Sequence, residues 1–225
     1  MTRLLLIALF TTALIFSTER ATASIELITN GDFETGDFTG WANSATGAGL
    51  EFTINGGSFN PTGPGGALAP IAGQFDAVSS QTSSALNLVT QIFQVPLNIT
   101  NATFSWADRI RNFGGQFSDP NQEFRVLIED MAGGLIQEIF STDPGDPLQQ
   151  VGPNNRLFDL TTLLQSLAGQ DIQIAFEQQD NLLYFNATID NVSLQVDVIP
   201  EPTAALVWVV LASCLGGTTL RRRFR

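Results

Sequence analysis
The chain is 225 residues long with a net charge of −12; all ten of its basic residues are arginines, and it has no lysine or histidine. A surface this acidic repels phosphate backbones, which excludes nucleic-acid binding. The one cysteine, Cys214, has no histidine to work with, so zinc sites, Ser-His-Asp triads, Cys-His nucleophiles and intrachain disulfides are excluded as well.

The N-terminus opens on Arg3, a small positive region, followed by the apolar run Leu4 to Phe16. Ala21-Thr22-Ala23 then supplies a small-x-small cleavage site. This order predicts a secretory signal peptide over residues 1–23, with Ser24 as the first residue after cleavage.

Residues 24–198 are expected to form one domain, large enough for a real core. From Ser24 to Ile199, four arginines against twenty acidic residues leave a net charge of −16. That charge suits a solvated extracellular protein or one that collects cations. With no disulfide, packing or a metal must hold the domain together.

Apolar and β-branched runs recur between Gly, Asn, Asp and Pro clusters. They predict strands at Ile25–Leu27, Glu51–Ile54, Gln74–Ser79, Leu88–Val95, Ala102–Ile110 and Glu123–Glu129. Further strands are expected at Leu135–Phe140, Leu157–Leu160, Ile172–Gln178, Leu182–Phe185 and Thr188–Val198. Within Glu123–Glu129 the alternation puts Phe124, Val126 and Ile128 on one face, and Glu123, Arg125, Leu127 and Glu129 on the other. Asp130 to Gly134 reads as a hairpin loop. The helix signal is one or two turns from Thr161 to Ala168, ending at Gly169. Asn55 to Gly66, rich in Gly, Pro and Asn, reads as a loop. So many strands with so little helix predict an all-β fold, an antiparallel β-sandwich or barrel.

The last segment, residues 199–225, begins with Pro200-Glu201-Pro202. An uncharged run of eighteen residues follows, Thr203 to Leu220, and then Arg221, Arg222, Arg223 and Arg225. As a helix the run would span about 27 Å, close to the thickness of a bilayer core. The arginines would keep that end in the cytoplasm. An ordinary single-span tail anchor would read this way.

The tail also resembles the PEP-CTERM sorting signal of exopolysaccharide-producing Gram-negative bacteria. That resemblance implies an exosortase-type membrane protease as a partner, cutting near Pro200, Glu201 and Pro202. It also implies localisation to the cell surface or extracellular matrix. Within the domain, Asn30-Gly31-Asp32-Phe33-Glu34-Thr35-Gly36 with Gly40-Trp41 is similar to the opening of galactose-binding-like jelly rolls, many of them carbohydrate-binding modules. Ile189-Asp190-Asn191-Val192-Ser193-Leu194 is similar to their closing strand. The segments Phe104–Asn112, Gln122–Val126 and Asp180–Asn186 look like a subgroup of secreted bacterial jelly rolls found with this tail. The resemblance implies a jelly-roll β-sandwich and a structural Ca2+ held in part by Glu34 and Asp190, with main-chain carbonyls and a residue of the loop before the next strand completing the shell; the alternative is that the two carboxylates cap turns.

Arg109, Arg111 and Arg125 fall near Asp108, Asp119 and Glu123. They can form a partly buried ion-pair network, or line a polar cleft on the concave face, for an acidic sugar for example. Trp41 and Trp106 fit a core better than a binding site. Tyr184, in a strand-edge context, is the best candidate for stacking on a sugar ring. No nucleophile elbow, metalloprotease motif or phosphate loop is present, and pairs of acidic residues are too common here to mark a glycosidase. The expectation is a non-catalytic exported protein that binds carbohydrate or exopolysaccharide. A structural matrix protein with no specific small ligand is the alternative.

Overall fold
The computed structural model describes residues 22–47, 51–81, 84–182 and 184–200. The expected signal peptide up to residue 21 lies outside the described residues. So does the tail from Glu201 onward, with Pro202, Arg221, Arg222, Arg223 and the apolar run. Among the described residues no helix is long and apolar enough to cross a membrane. Ser24–Val198 forms one compact unit.

The described residues form two antiparallel sheets. The first has the order β3 (Thr53–Asn55), β4 (Asp76–Val78), β11 (Phe185–Val198), β6 (Ile99–Asn112), β9 (Gln149–Asp159), and β1 (Ala23–Glu26) also pairs with β11. The second has the order β2 (Ala42–Gly47), β5 (Ala85–Gln94), β10 (Asp171–Asp180), β7 (Gln122–Asp130), β8 (Leu135–Ser141). One short helix, α1 (Thr161–Ser166), links β9 to β10 and buries Leu164. The expectation of an antiparallel β-sandwich holds.

Alternation explains which residues form the core. Phe124, Val126 and Ile128 on β7 are fully buried between the sheets. Phe176 on β10 lies across from Val126 and meets Phe104 and Trp106 of the opposite sheet, with ring centroids 6.4 and 5.8 Å away. Trp41 and Trp106 are core residues. Trp41 is 7% exposed and Trp106 2%. The Trp41 ring packs on Phe33 and Phe176, and its Nε1 donates to the Asn30 carbonyl at 3.1 Å.

The two ends of the domain meet. The Val192 amide donates to the Gly31 carbonyl at 2.8 Å. A Cβ at Gly31 would lie 1.8 Å from the Val192 carbonyl oxygen, so only glycine fits there. The Glu26 carboxylate accepts from the Leu194 amide, Ser193 Oγ and Gln195 Nε2, fixing β1 beside the irregular stretch of β11 between Asp190 and Ser193.

Three elements differ from the sequence reading. The expected strand Leu182–Phe185 is not formed, because Leu182 lies in a bend and Phe185 begins β11. β2, Ala-Asn-Ser-Ala-Thr-Gly, has no apolar alternation and becomes a strand by pairing with β5 from Ala42 opposite Thr90 to Gly47 opposite Ala85. β9 starts at Gln149, well before the expected Leu157, because its polar residues extend the edge of the first sheet along β6.

Candidate functional site
The two carboxylates expected to hold calcium do come to one place. Asp190 is 1% exposed. Its Oδ2 accepts from the Ala72 amide at 2.9 Å and its Oδ1 from the Asn191 amide at 2.7 Å. Glu34 Oε1 accepts from the amides of Gln74 and Phe75, at 2.7 and 3.1 Å. Asp76, also buried, accepts from the Ile71 amide and from Asn55. Three carboxylates thus grip residues 71–75. Burial pushes Asp190 up to about 7, with the charges of Asp76 and Glu34 adding to the effect. Among the described residues, no cluster of three or more acidic, histidine or cysteine side chains is spaced to hold a metal ion. Calcium here would need main-chain carbonyls for most of its six to eight oxygens.

The three candidate arginines do not converge. β6 and β7 are consecutive in the chain but lie in different sheets. Arg109 and Arg111 lie on the outer face of the first sheet, opposite Thr188 and Asn186 of β11. Arg125 lies on the outer face of the second sheet, opposite Glu177 of β10. Its Nε donates to Glu177 Oε1 at 2.9 Å, its Nη2 makes a second, shorter contact with the same oxygen, and Glu123 stands 3.2 Å from Nε. Arg125 is therefore a member of an ion-pair network. Arg109 instead donates to the carbonyls of Val151 and Ala69, both at 3.2 Å. Tyr184 is 38% exposed, in the left-handed region at φ 41°, and its carbonyl accepts from the Phe113 amide at 2.9 Å, next to the β6 end that carries Arg111.

The fourth arginine of the domain, Arg156, marks a site the sequence reading passed over. β9 and β8 are edge strands of the two sheets on the same side of the sandwich. Arg156 on β9 lies over the Phe140 ring of β8, 4.3 Å from its centroid. Asp108, fully buried, fixes it through Nε at 2.8 Å and Nη2 at 3.2 Å. The same carboxylate accepts from Trp106 Nε1 at 3.0 Å and Asn154 Nδ2 at 2.8 Å, and Gln150 Oε1 accepts from Arg156 at 2.8 Å. An open cleft of about 570 Å³ lies above this group, bounded by Phe140, Gln149, Gln150, Pro153, Asn154 and Arg156. No single segment gives it away, because its walls come from β8, β9 and the loop between them.

No protein-family model matches the chain, and no curated protein is similar to it at a significant level. Solved structures with a similar fold include a carbohydrate-binding module in complex with beta-1,4-galactotriose, 13% identical with a TM-score of 0.48, the match covering 76% of this chain and 97% of that one. The K3 cleaved adhesin domain of Lys-gingipain from Porphyromonas gingivalis W83 is 15% identical with a TM-score of 0.48, covering 77% and 99% of the two chains. A Stig cyclase from Fischerella sp. TAU is 16% identical with a TM-score of 0.43, covering 79% and 100%.

Proposed function
We propose that this chain is an exported, non-catalytic β-sandwich that binds carbohydrate in the cleft between β8 and β9. The observation that carries the reading is the preorganised group at that cleft. A ring, a proline and three amide side chains surround an arginine whose orientation Asp108 already fixes. Saccharides offer hydroxyls to amides and guanidinium groups, and C–H faces to rings. At about 570 Å³ the cleft is in the usual range for a small ligand. Side chains held in place before binding lose little freedom when a sugar arrives.

Export by the signal peptide, sorting through Pro200, Glu201 and Pro202 by an exosortase-type protease, and a surface or matrix location complete the proposal. A structural Ca2+ at Glu34 and Asp190 belongs to it as well. It would join the start of the domain to its last strand.

The test is a glycan array probed with the secreted protein, alongside its Gln150→Ala variant. The expected result is retention of at least one neutral glycan, weakened about tenfold in the variant, as the loss of one hydrogen bond gives. Retention of no glycan by a protein with an intact melting transition overturns the binding reading and leaves a structural matrix role. For the tail, intact mass spectrometry of surface-recovered protein should show the mass of Thr203 to Arg225 missing. Recovery of the full tail means a membrane anchor instead.

A further inference from the structure
Arg109 and Arg111 are half of the arginines in a domain of net charge −16, and among the described residues neither forms an ion pair with a carboxylate. Two like charges lie two residues apart on one face of β6, although twenty carboxylates are available to the same domain. Arg111 is the more telling of the two. It is 6% exposed, and among the described residues its guanidinium makes one hydrogen bond, from Nη2 to Asn186 Oδ1 at 3.0 Å. Its Nε is buried and has no acceptor among those residues. Asn186, directly opposite on β11 and 1% exposed, also holds a buried donor, Nδ2, with no acceptor. The guanidinium also lies 5.8 Å from the centroid of the Phe113 ring.

A buried positive charge and two unanswered N–H donors on neighbouring strands call for an acceptor that carries negative charge. A carboxylate meets that demand in two-oxygen form, because the guanidinium fork matches its geometry. The loop above also fits close approach. A Cβ at Gly65 would come within 2.8 Å of Arg111 Nη1, whereas a Cβ at Gly66 would meet nothing within 4 Å, so the turn borders open space. Asp76 feels the charge of Arg109, but its own hydrogen bonds come from Asn55 and Ile71. It leaves the Arg111 donors unanswered.

We propose that Arg111 and Asn186, beneath the Gly63–Gly66 turn on the outer face of the first sheet, form a receptor for an oxyanion of the kind carried by the uronate or sulfate groups of acidic polysaccharides. The anion site stands on its own donors. Only its occupation by a polymer rests on the carbohydrate reading above. Arg111 also lies opposite Gln149 of β9, which bounds the β8–β9 cleft, so the two sites are neighbours with separate donors.

The experiment uses the full secreted protein at 0.15 M salt, where long-range repulsion by the net negative charge is screened and a buried contact is screened far less. The probes are polygalacturonate, dextran sulfate and a neutral galactan, with free galacturonate and inorganic sulfate as competitors. Retention of either anionic polymer, reversed by the matching free anion, is expected. Arg111→Lys keeps the charge but loses Nε and the fork, and should weaken retention about tenfold or more with little change in melting temperature. Asn186→Asp places the chain's own carboxylate against Arg111. It should abolish retention and raise the melting temperature, an outcome that a misfolded variant cannot imitate. Failure to retain either anionic polymer, or retention unchanged in Asn186→Asp, overturns the proposal. Neutral glycan bound at the cleft without any anion would refute this inference and leave the carbohydrate reading standing. Anion binding without any neutral glycan would do the reverse.

Discussion
At the residue scale, burial decides which charges matter. Glu123 is 1% exposed on the outer face of the second sheet, and burial pushes its carboxyl up to about 7 from an ordinary value of 4.5. Arg125 pulls the other way, but it gives its hydrogen bonds to Glu177, and Asp119, Glu138 and Glu177 add negative charge nearby. An acid raised on folding takes up its proton in the folded state. Its stabilising contribution is full below about 4.5 and is lost as pH rises through about 7. A tenfold gain in proton affinity on folding corresponds to about 1.4 kcal/mol. Glu123→Gln keeps the neutral form at every pH. Denaturant unfolding should therefore find the variant close to the parent near pH 4 and more stable at pH 8. A parent advantage at pH 8 would mean that Arg125 holds Glu123 ionised after all. Arg125→Ala leaves both Glu123 and Glu177 without their cation, and should cost about 3–5 kcal/mol, the usual range for breaking a buried pair.

At the scale of elements, side chains stand in for missing strand pairing. The chain between β1 and β2 has no ladder of its own across Thr29. Gln91, on the inner face of β5 and 4% exposed, supplies one. Its Oε1 accepts from the Thr29 amide at 2.7 Å and its Nε2 donates to the Thr29 carbonyl at 2.9 Å. This pair holds the Asn30 to Gly36 turn against the second sheet, while Glu26 holds its start against the first. Gln91→Ala removes both hydrogen bonds and leaves two main-chain groups unsatisfied, at a cost of about 1–3 kcal/mol. Hydrogen exchange should show the Thr29 amide opening first, with the β10 amides still protected. Equal loss of protection in both would mean that the turn and the core unfold together. The strands with clean alternation, β7 and β11, were legible from sequence because their inner residues recur with period two. β2 was not, because its pairing with β5 alone makes it a strand.

At the scale of the whole molecule, the question is how a domain without disulfides joins its two ends. Gly31 against Val192 and Glu26 against Leu194 do part of this by hydrogen bonding. Glu34 and Asp190 bring two carboxylates to the same region, and a cation there would relieve their repulsion. Binding to the folded state alone adds about 2.7 kcal/mol at a hundredfold excess over Kd. Chelator should therefore lower the melting temperature of the protein, and Asp190→Ala should remove the difference between calcium and chelator. A melting temperature indifferent to both, in protein shown to be metal-free, would dismiss calcium and leave the main-chain amides of Ala72, Gln74, Phe75 and Asn191 as the partners of these two carboxylates.

The sequence alone determined the class of fold. Alternating apolar residues, turn residues between them and a near absence of helical spacing admit few solutions other than antiparallel sheets. It also determined that this sequence brings no histidine or lysine to any site. The opening and closing motifs were legible because a local backbone need marks each: Asn30 and Gly36 take positive φ in the opening turn, and Asn191 takes it in the bulge of the closing strand. The meeting of side chains from distant segments was not legible. Arg109 and Arg125 are close in the chain yet face opposite sides of the sandwich, because the chain changes sheet between β6 and β7. Arg156 and Phe140 are sixteen positions apart on two different sheets, yet they form one side of a cleft, because β8 and β9 end on the same edge. Sequence spacing carries the period of a strand but not the order of strands in a sheet. Only the tertiary structure sets that order, through long-range pairing that local residues do not encode.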